Sequence, residues 1–266
     1  MTANLPRLPI LLYHSISAEA SPRYQRWAVP PAVFADHLTY LKQQGYTPLT
    51  VHRWIRMLAD PTIAPPLRPI LLTFDDGLAD FYEGALPLLT ERGYPATLFI
   101  TTGWVGKTAR WLQSVGEPDR PMLTWRQIIE IDASGIECGA HSVTHPQLDI
   151  LPVADARREI FDSQRTLADH LGHDIPSFAY PHGYYNPHVH YLVAEAGYSA
   201  ACAVKNAFSS PADDPLALAR LVVTAETNLP RLLADPALPV APLAESLSTK
   251  GWRLARRALR VRAGFL

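Results

Sequence analysis

The 266-residue sequence reads as an α/β protein: a parallel sheet wrapped by helices and closed, or nearly closed, into a β/α barrel. Two observations predict this. Short apolar runs alternate with amphipathic stretches over most of the chain. Hydrophobic residues make up 48% of the total, enough to fill one large core. An open doubly wound sheet is the alternative reading of the same alternation.

The elements follow in order. Ile10 to Tyr13 reads as the first strand. Phe34, Leu38 and Leu41 lie at helical spacing, and Gly45 marks a helix stop. Pro69 to Phe74 is a strand. A helix through Leu86 and Leu89 ends at Gly93, and Ala96 to Thr101 is the next strand. Trp125 to Ala133 is helical and Ile136 to Ala140 a strand. Pro152 to Leu171 is a long helix, with proline at its start and Gly172 at its end. Ser177 to Tyr180 is a strand, Val189 to Ala196 a helix and Tyr198 to Val204 a strand. Leu221-Val222-Val223 is a last apolar run.

Composition narrows the function. A formal charge of −1 gives no pull toward nucleic acid. Two cysteines, Cys138 and Cys202, make no disulfide framework. The first residues, MTANLPRLPILLYHSI, lack a basic region followed by an apolar core and cleavage site. No run is long enough to span a bilayer, so a cytoplasmic location is expected. The tail from Lys250 to Leu266 carries six basic residues and no acidic ones. Trp252, Ala255, Leu259, Ala263 and Leu266 share one helical face there. Such a helix suits peripheral contact with an anionic membrane through residues 250–266, or packing on the acidic body of its own domain.

The chemistry concentrates where strands end, which is where a parallel barrel places its site. His14 follows the first strand, Asp75 and Asp76 the second, and His141 and His145 the strand at Ile136. Two imidazoles four residues apart share one face of a helical turn and can hold one ion, although two loop histidines would show the same spacing. Two adjacent carboxylates at the end of a buried strand repel each other. A divalent cation on one would remove that cost and leave the other free to take a proton from water. An Asp pair capping a helix is the plainer reading.

Thr73-Phe74-Asp75-Asp76-Gly77 with His141-Ser142-Val143-Thr144-His145 resembles the polysaccharide deacetylases. Phe178 to Asn186, read FAYPHGYYN, looks like the third motif of that family. The resemblance implies a distorted (β/α) barrel of about seven parallel strands, in a catalytic domain over 1–228 followed by a Pro-rich linker and basic tail over 229–266. It implies one divalent metal ion, zinc first with cobalt or nickel as alternatives, bound by Asp76, His141 and His145. Asp75 is then the general base, and a backbone N–H near His182 holds the oxyanion. The substrate is an acetylated glycan, bound near Tyr180, Pro181 and Gly183.

Two departures from the family pattern stand out. The third motif has Ala179 where many members carry an arginine; Arg220 is the substitute candidate. The late Leu-x-x-His that supplies a general acid is missing, but Leu11-Leu12-Tyr13-His14 carries that pattern at the other end of the chain. This looks like the permuted arrangement of the poly-N-acetylglucosamine deacetylase branch, with His14 as the acid. Trp104 and Trp125 are candidates to stack on sugar faces. The implied activity is removal of acetyl groups from N-acetylated sugars. Hydrolysis of another amide or an O-acetyl ester, and an inactive carbohydrate-binding protein, are the alternatives.

Overall fold

The computed structural model describes residues 7–241, 251, 252, 254–256 and 258. Eight parallel strands form it: β1 (Ile10–Tyr13), β2 (Thr47–Leu49), β3 (Pro69–Phe74), β4 (Thr97–Ile100), β5 (Glu137–Ala140), β6 (Ser177–Ala179), β7 (Ala200–Cys202) and β8 (Leu221–Val222). Their order is β7-β6-β5-β4-β3-β1-β8. The strands are mostly apolar and buried because both faces are covered.

Two irregularities distort the barrel. The lower half of β3 pairs with β2, Thr47 opposite Pro69 and Leu49 opposite Leu71. Its upper half pairs with β4, Thr73 opposite Thr97. At the handover the Thr97 hydroxyl accepts the Val51 N–H at 3.0 Å. The second irregularity is the seam. Leu218 bridges Cys202 of β7, and Leu221 and Val222 then pair with β1. One five-residue stretch therefore joins the two ends of the sheet.

Helices α1 (Pro31–Gln43), α2 (Val51–Ala59), α3 (Leu86–Glu91), α4 (Trp125–Ala133), α5 (Val153–Leu171), α6 (Pro187–Glu195) and α7 (Leu229–Ala234) accompany the strands. Phe34, Leu38 and Leu41 of α1 are fully buried, as their spacing predicts. Thr124 and Gln127 form a reciprocal capping box that starts α4. Gly172 closes α5 in the left-handed conformation.

Strand alternation sorts the side chains. Tyr13, Leu72, Phe74, Leu98 and Phe178 pack outward in the main core beneath the helices. Ile10, Leu71, Phe99, Ala179 and Cys202 belong to a second cluster, closed by Val51, Trp54 and Met57 of α2. That cluster plugs the barrel at the N-terminal ends of the strands. Four residues beyond Ile10 and Leu71, just past the ends of β1 and β3, the same face carries His14 and Asp75, so one alternation sets both the plug and the site.

The sequence reading passed over β2 and α2, since three residues including Pro48 give no periodic signal. The stretch past residue 228, read as linker, packs on the body up to Ala241. Leu229 and Ala241 are buried, and Phe208 bridges Val240. Most of the basic tail lies outside the described residues. Among the described residues no helix is long and apolar enough to cross a membrane.

Candidate active site

A cavity of about 350 Å³ opens at the C-terminal ends of the strands, lined among others by His14, Tyr24, Asp75, Asp76, His141, His145, His182 and Gly183. Asp75 and Arg220 face each other beneath it. Arg220 is fully buried, and its two terminal nitrogens donate to the two carboxylate oxygens of Asp75, both at 2.7 Å. Arg220 Nε donates to the Ala203 carbonyl at 3.1 Å. A fork-on-fork pair of this kind fixes both groups in direction as well as distance. Burial alone would push the Asp75 carboxyl up; the guanidinium and the nearby His141 hold it below the ordinary carboxylate range. Asp75 is therefore an anion at neutral pH, pinned on one side and free on the other.

Asp76 makes the opposite arrangement. Its Oδ1 lies 3.3 Å from His145 Nε2 and 3.6 Å from His141 Nε2, yet has no hydrogen-bond partner. Ligand atoms of Asp76, His141 and His145 all fall within 4.8 Å of one another. A buried carboxylate oxygen left unpaired between two imidazoles is costly, and it is the donor set that zinc, cobalt or nickel takes. His141 Nδ1 is 2.8 Å from the Ala179 carbonyl, which turns Nε2 toward Asp76. Burial pushes the His141 pKa down to about 4, so the ring is neutral and its Nε2 lone pair is available.

The two histidines do not share a helical turn. Residues 141–145 form a loop in which Ser142 and His145 both have positive φ, 64° each. Glu159 of α5 pins that loop by accepting the N–H groups of Val143 and Thr144, both at 2.8 Å, and the Thr144 hydroxyl at 2.6 Å. Asp76 and His182 also have positive φ. Left-handed backbone costs a non-glycine residue about 1–2 kcal/mol, and of the five such residues among those described three line this cavity and Ser142 lies in the loop that bears His141 and His145.

His14 lines the cavity on the side of β1, its Nδ1 buried without a partner and its ring edge-on to Trp27 at 5.1 Å. His182 packs edge-on to His145 at 4.7 Å, and burial pushes its pKa down to about 3. Gly183 adopts φ +73°, and a Cβ there would meet the Val204 Cβ at 2.5 Å. Gly183→Ala is expected to cost about 2–4 kcal/mol from clash and backbone strain together, read as a drop in Tm by calorimetry.

Other sequence candidates fall elsewhere. Tyr180 is fully buried and donates to the Leu216 carbonyl at 2.8 Å; it and Pro181 do not line the cavity. Trp104 packs near Trp111, which stacks on His145 at 4.8 Å, so it stands one ring back. Trp125 stacks on His170 at 3.7 Å instead of facing the cavity. The tryptophan that does line it is Trp27, with Tyr24. The available signal was an aromatic pair three residues apart in the loop after the first strand, on the functional end of the barrel. Cys138 and Cys202 are buried free thiols.

The family model described as polysaccharide deacetylase matches residues 63–201. The YxkH protein of Bacillus subtilis is 32% identical over 192 residues, covering 72% of this chain and 62% of that protein. The poly-β-1,6-N-acetyl-D-glucosamine N-deacetylase of Escherichia coli is 28% identical over 135 residues, or 49% of this chain and 20% of that enzyme. The chain thus spans less than two thirds of the length of these relatives. The structure of the Streptococcus pyogenes deacetylase PplD in complex with acetate superposes with a TM-score of 0.74 at 28% identity, over 86% of this chain and 98% of that one. The matched region covers more than half of the sequence and contains both motifs that meet in the cavity, and the chain belongs to the polysaccharide deacetylase family.

Proposed function

We propose that the protein is a metal-dependent hydrolase that removes acetyl groups from N-acetylated sugars of a glycan. One observation carries the reading: of two adjacent buried carboxylates, Asp75 is locked to an arginine and Asp76 is left unpaired beside two histidines. Two equal groups have been given two different tasks by their surroundings.

Asp76, His141 and His145 would hold the ion. A bound divalent cation, zinc in the first instance, would polarise an acyl carbonyl and make water acidic enough to lose a proton near neutral pH. Asp75 is placed to accept a proton from water in the cavity. The Arg220 pair keeps its carboxylate ionised and aims its free side at the cavity. His14, on the β1 side, returns a proton to the departing sugar amine. Backbone donors in the turn around His182 stabilise the negative charge that builds on the acyl oxygen. Asp76 and both ligand histidines are positioned by strand ends and a pinned loop, so the site is ordered before substrate arrives.

Arg220 weakens the inactive reading. The missing arginine of the third motif favours a protein that only grips glycan, but a guanidinium reaches Asp75 from the seam of the barrel instead. The Escherichia coli relative acts on poly-β-1,6-N-acetyl-D-glucosamine by its name, which supports an N-acetylated sugar over an O-acetyl ester. The test is metal analysis joined to acetate release from N-acetylglucosamine oligomers. About one ion per chain with acetate release supports the proposal; an ion-free protein, inert after zinc, cobalt or nickel loading, refutes it. Asp75→Asn and His14→Ala are each expected to keep the ion and lose about 10²–10⁴-fold in kcat. Full turnover by His14→Ala would remove its role as acid.

A further inference from the structure

Tyr184 forms part of the cavity wall. Its ring stacks on His182, 6.0 Å between centroids at 21°. The same ring carries the Arg256 guanidinium 3.9 Å from its centroid. Arg256 comes from the far end of the chain, yet it is buried. It reaches Asp149 with both terminal nitrogens, at 2.7 and 3.1 Å, and Gln147 Oε1 at 2.8 Å.

Asp149 lies in a short turn, Leu148–Ile150, just past the loop that bears His141 and His145. Its carbonyl accepts the Asn186 side-chain amide at 2.8 Å. Asn186 also caps α6, its Oδ1 accepting the Val189 N–H at 3.0 Å. Asp149 therefore ties the loop after β5 to the C-terminal segment through its carboxylate and to the loop after β6 through its backbone carbonyl. An ion pair this buried is poor evidence for stability, because desolvation offsets its attraction. What it does supply is a fixed direction: the guanidinium is held over the Tyr184 ring, 3.9 Å from its centroid, within reach of cation–π attraction.

We infer that Arg256 is a positioning residue, which acts through Tyr184 to set one wall of the cavity and thereby the binding of the reacting sugar. The inference rests on the cavity being the glycan site. Arg256 touches none of the groups assigned to proton transfer or to the ion. Its loss reaches the substrate by releasing the Tyr184 ring.

The test is steady-state kinetics of Arg256→Leu on N-acetylglucosamine oligomers, with calorimetric binding of the same oligomer. KM and the dissociation constant are expected to rise about tenfold, the scale of a desolvated cation–π contact, with kcat and metal content unchanged. Because Arg256→Leu strands a buried Asp149, the double variant Asp149→Asn with Arg256→Leu removes both charges and should show the same rise in KM. Unchanged KM in both variants overturns the inference. So does a fall in kcat or metal content with KM constant, which is what a purely structural brace would give. If the wild-type protein releases no acetate but binds the oligomer, the deacetylase reading fails while the binding comparison still decides the role of Arg256. If the wild-type protein binds no oligomer, the inference falls with it.

Discussion

Arg220→Met is expected to cost about 3–5 kcal/mol of stability and at least about 10²-fold in kcat. The residue is fully buried, and Asp75 is its charged partner. Removing the guanidinium leaves a buried carboxylate without the largest of the charges that oppose its burial. The Asp75 pKa then rises, so the acid limb of the rate profile should move to higher pH. The stability effect has a matching sign. In the native protein the Asp75 pKa lies below its ordinary value; the pair therefore stabilises the fold fully above the unfolded pKa of about 4 and loses that contribution as pH falls through the folded value. Thermal unfolding from pH 7 down to pH 3 measures it: the gap between wild type and variant should narrow with acid. Adding Asp75→Asn to Arg220→Met should return much of the Tm and none of the activity. Unchanged kcat in Arg220→Met would show that the buried pair is only structural.

The second large effect is expected at Asp76. Asparagine is the informative substitution, because Asp76 has φ 77° and asparagine tolerates that region better than alanine does. Asp76→Asn should fold normally, fall from about one bound ion per chain to a small fraction of that, and lose about 10³-fold or more in activity, since a neutral amide is a far weaker ligand than a carboxylate. Calorimetry supplies a readout apart from turnover. Zinc at 100 times its dissociation constant should stabilise the wild-type protein by about 2.7 kcal/mol, and leave the Tm of Asp76→Asn unmoved. Equal zinc stabilisation of both proteins would place the ion elsewhere.

How far the sequence reveals the site depends on how local each signal is. Asp75, Asp76, His141 and His145 sit directly after buried apolar runs, so strand ends and spacing point to them. The Asp75–Arg220 pair joins residues 145 positions apart, and only the closing of the barrel brings them together. Sequence setting suggests Arg220; nothing in it shows which carboxylate the guanidinium meets. The loop of residues 141–145 misleads for a different reason. Its spacing suits a helical turn, but the Glu159 carboxylate takes the Val143 and Thr144 amides and the Ser142 hydroxyl takes the His145 amide that would close the turn. The link from Arg256 to Asp149 spans 107 residues and leaves no trace in spacing at all. In the fold, β1 and β3 to β7 are legible because strands buried on both faces read as short, mostly apolar runs between amphipathic stretches. β2 is three residues long and β8 two, too short to show any period.

The seam also has a temporal meaning. During synthesis β1 emerges early, but its outer edge stays open until Leu221 and Val222 arrive to pair with it. Contacts across such sequence separations form late, because the chain entropy of closing the loop comes before the reward. A nascent chain that ends after β7 already holds Asp76, His141 and His145, but lacks the guanidinium that Asp75 requires. The three proposed metal ligands and the partner of the proposed base are thus separated along the chain. Exposed β-edges persist over the same interval, and this is when the protein is most open to mispairing and to the care of chaperones.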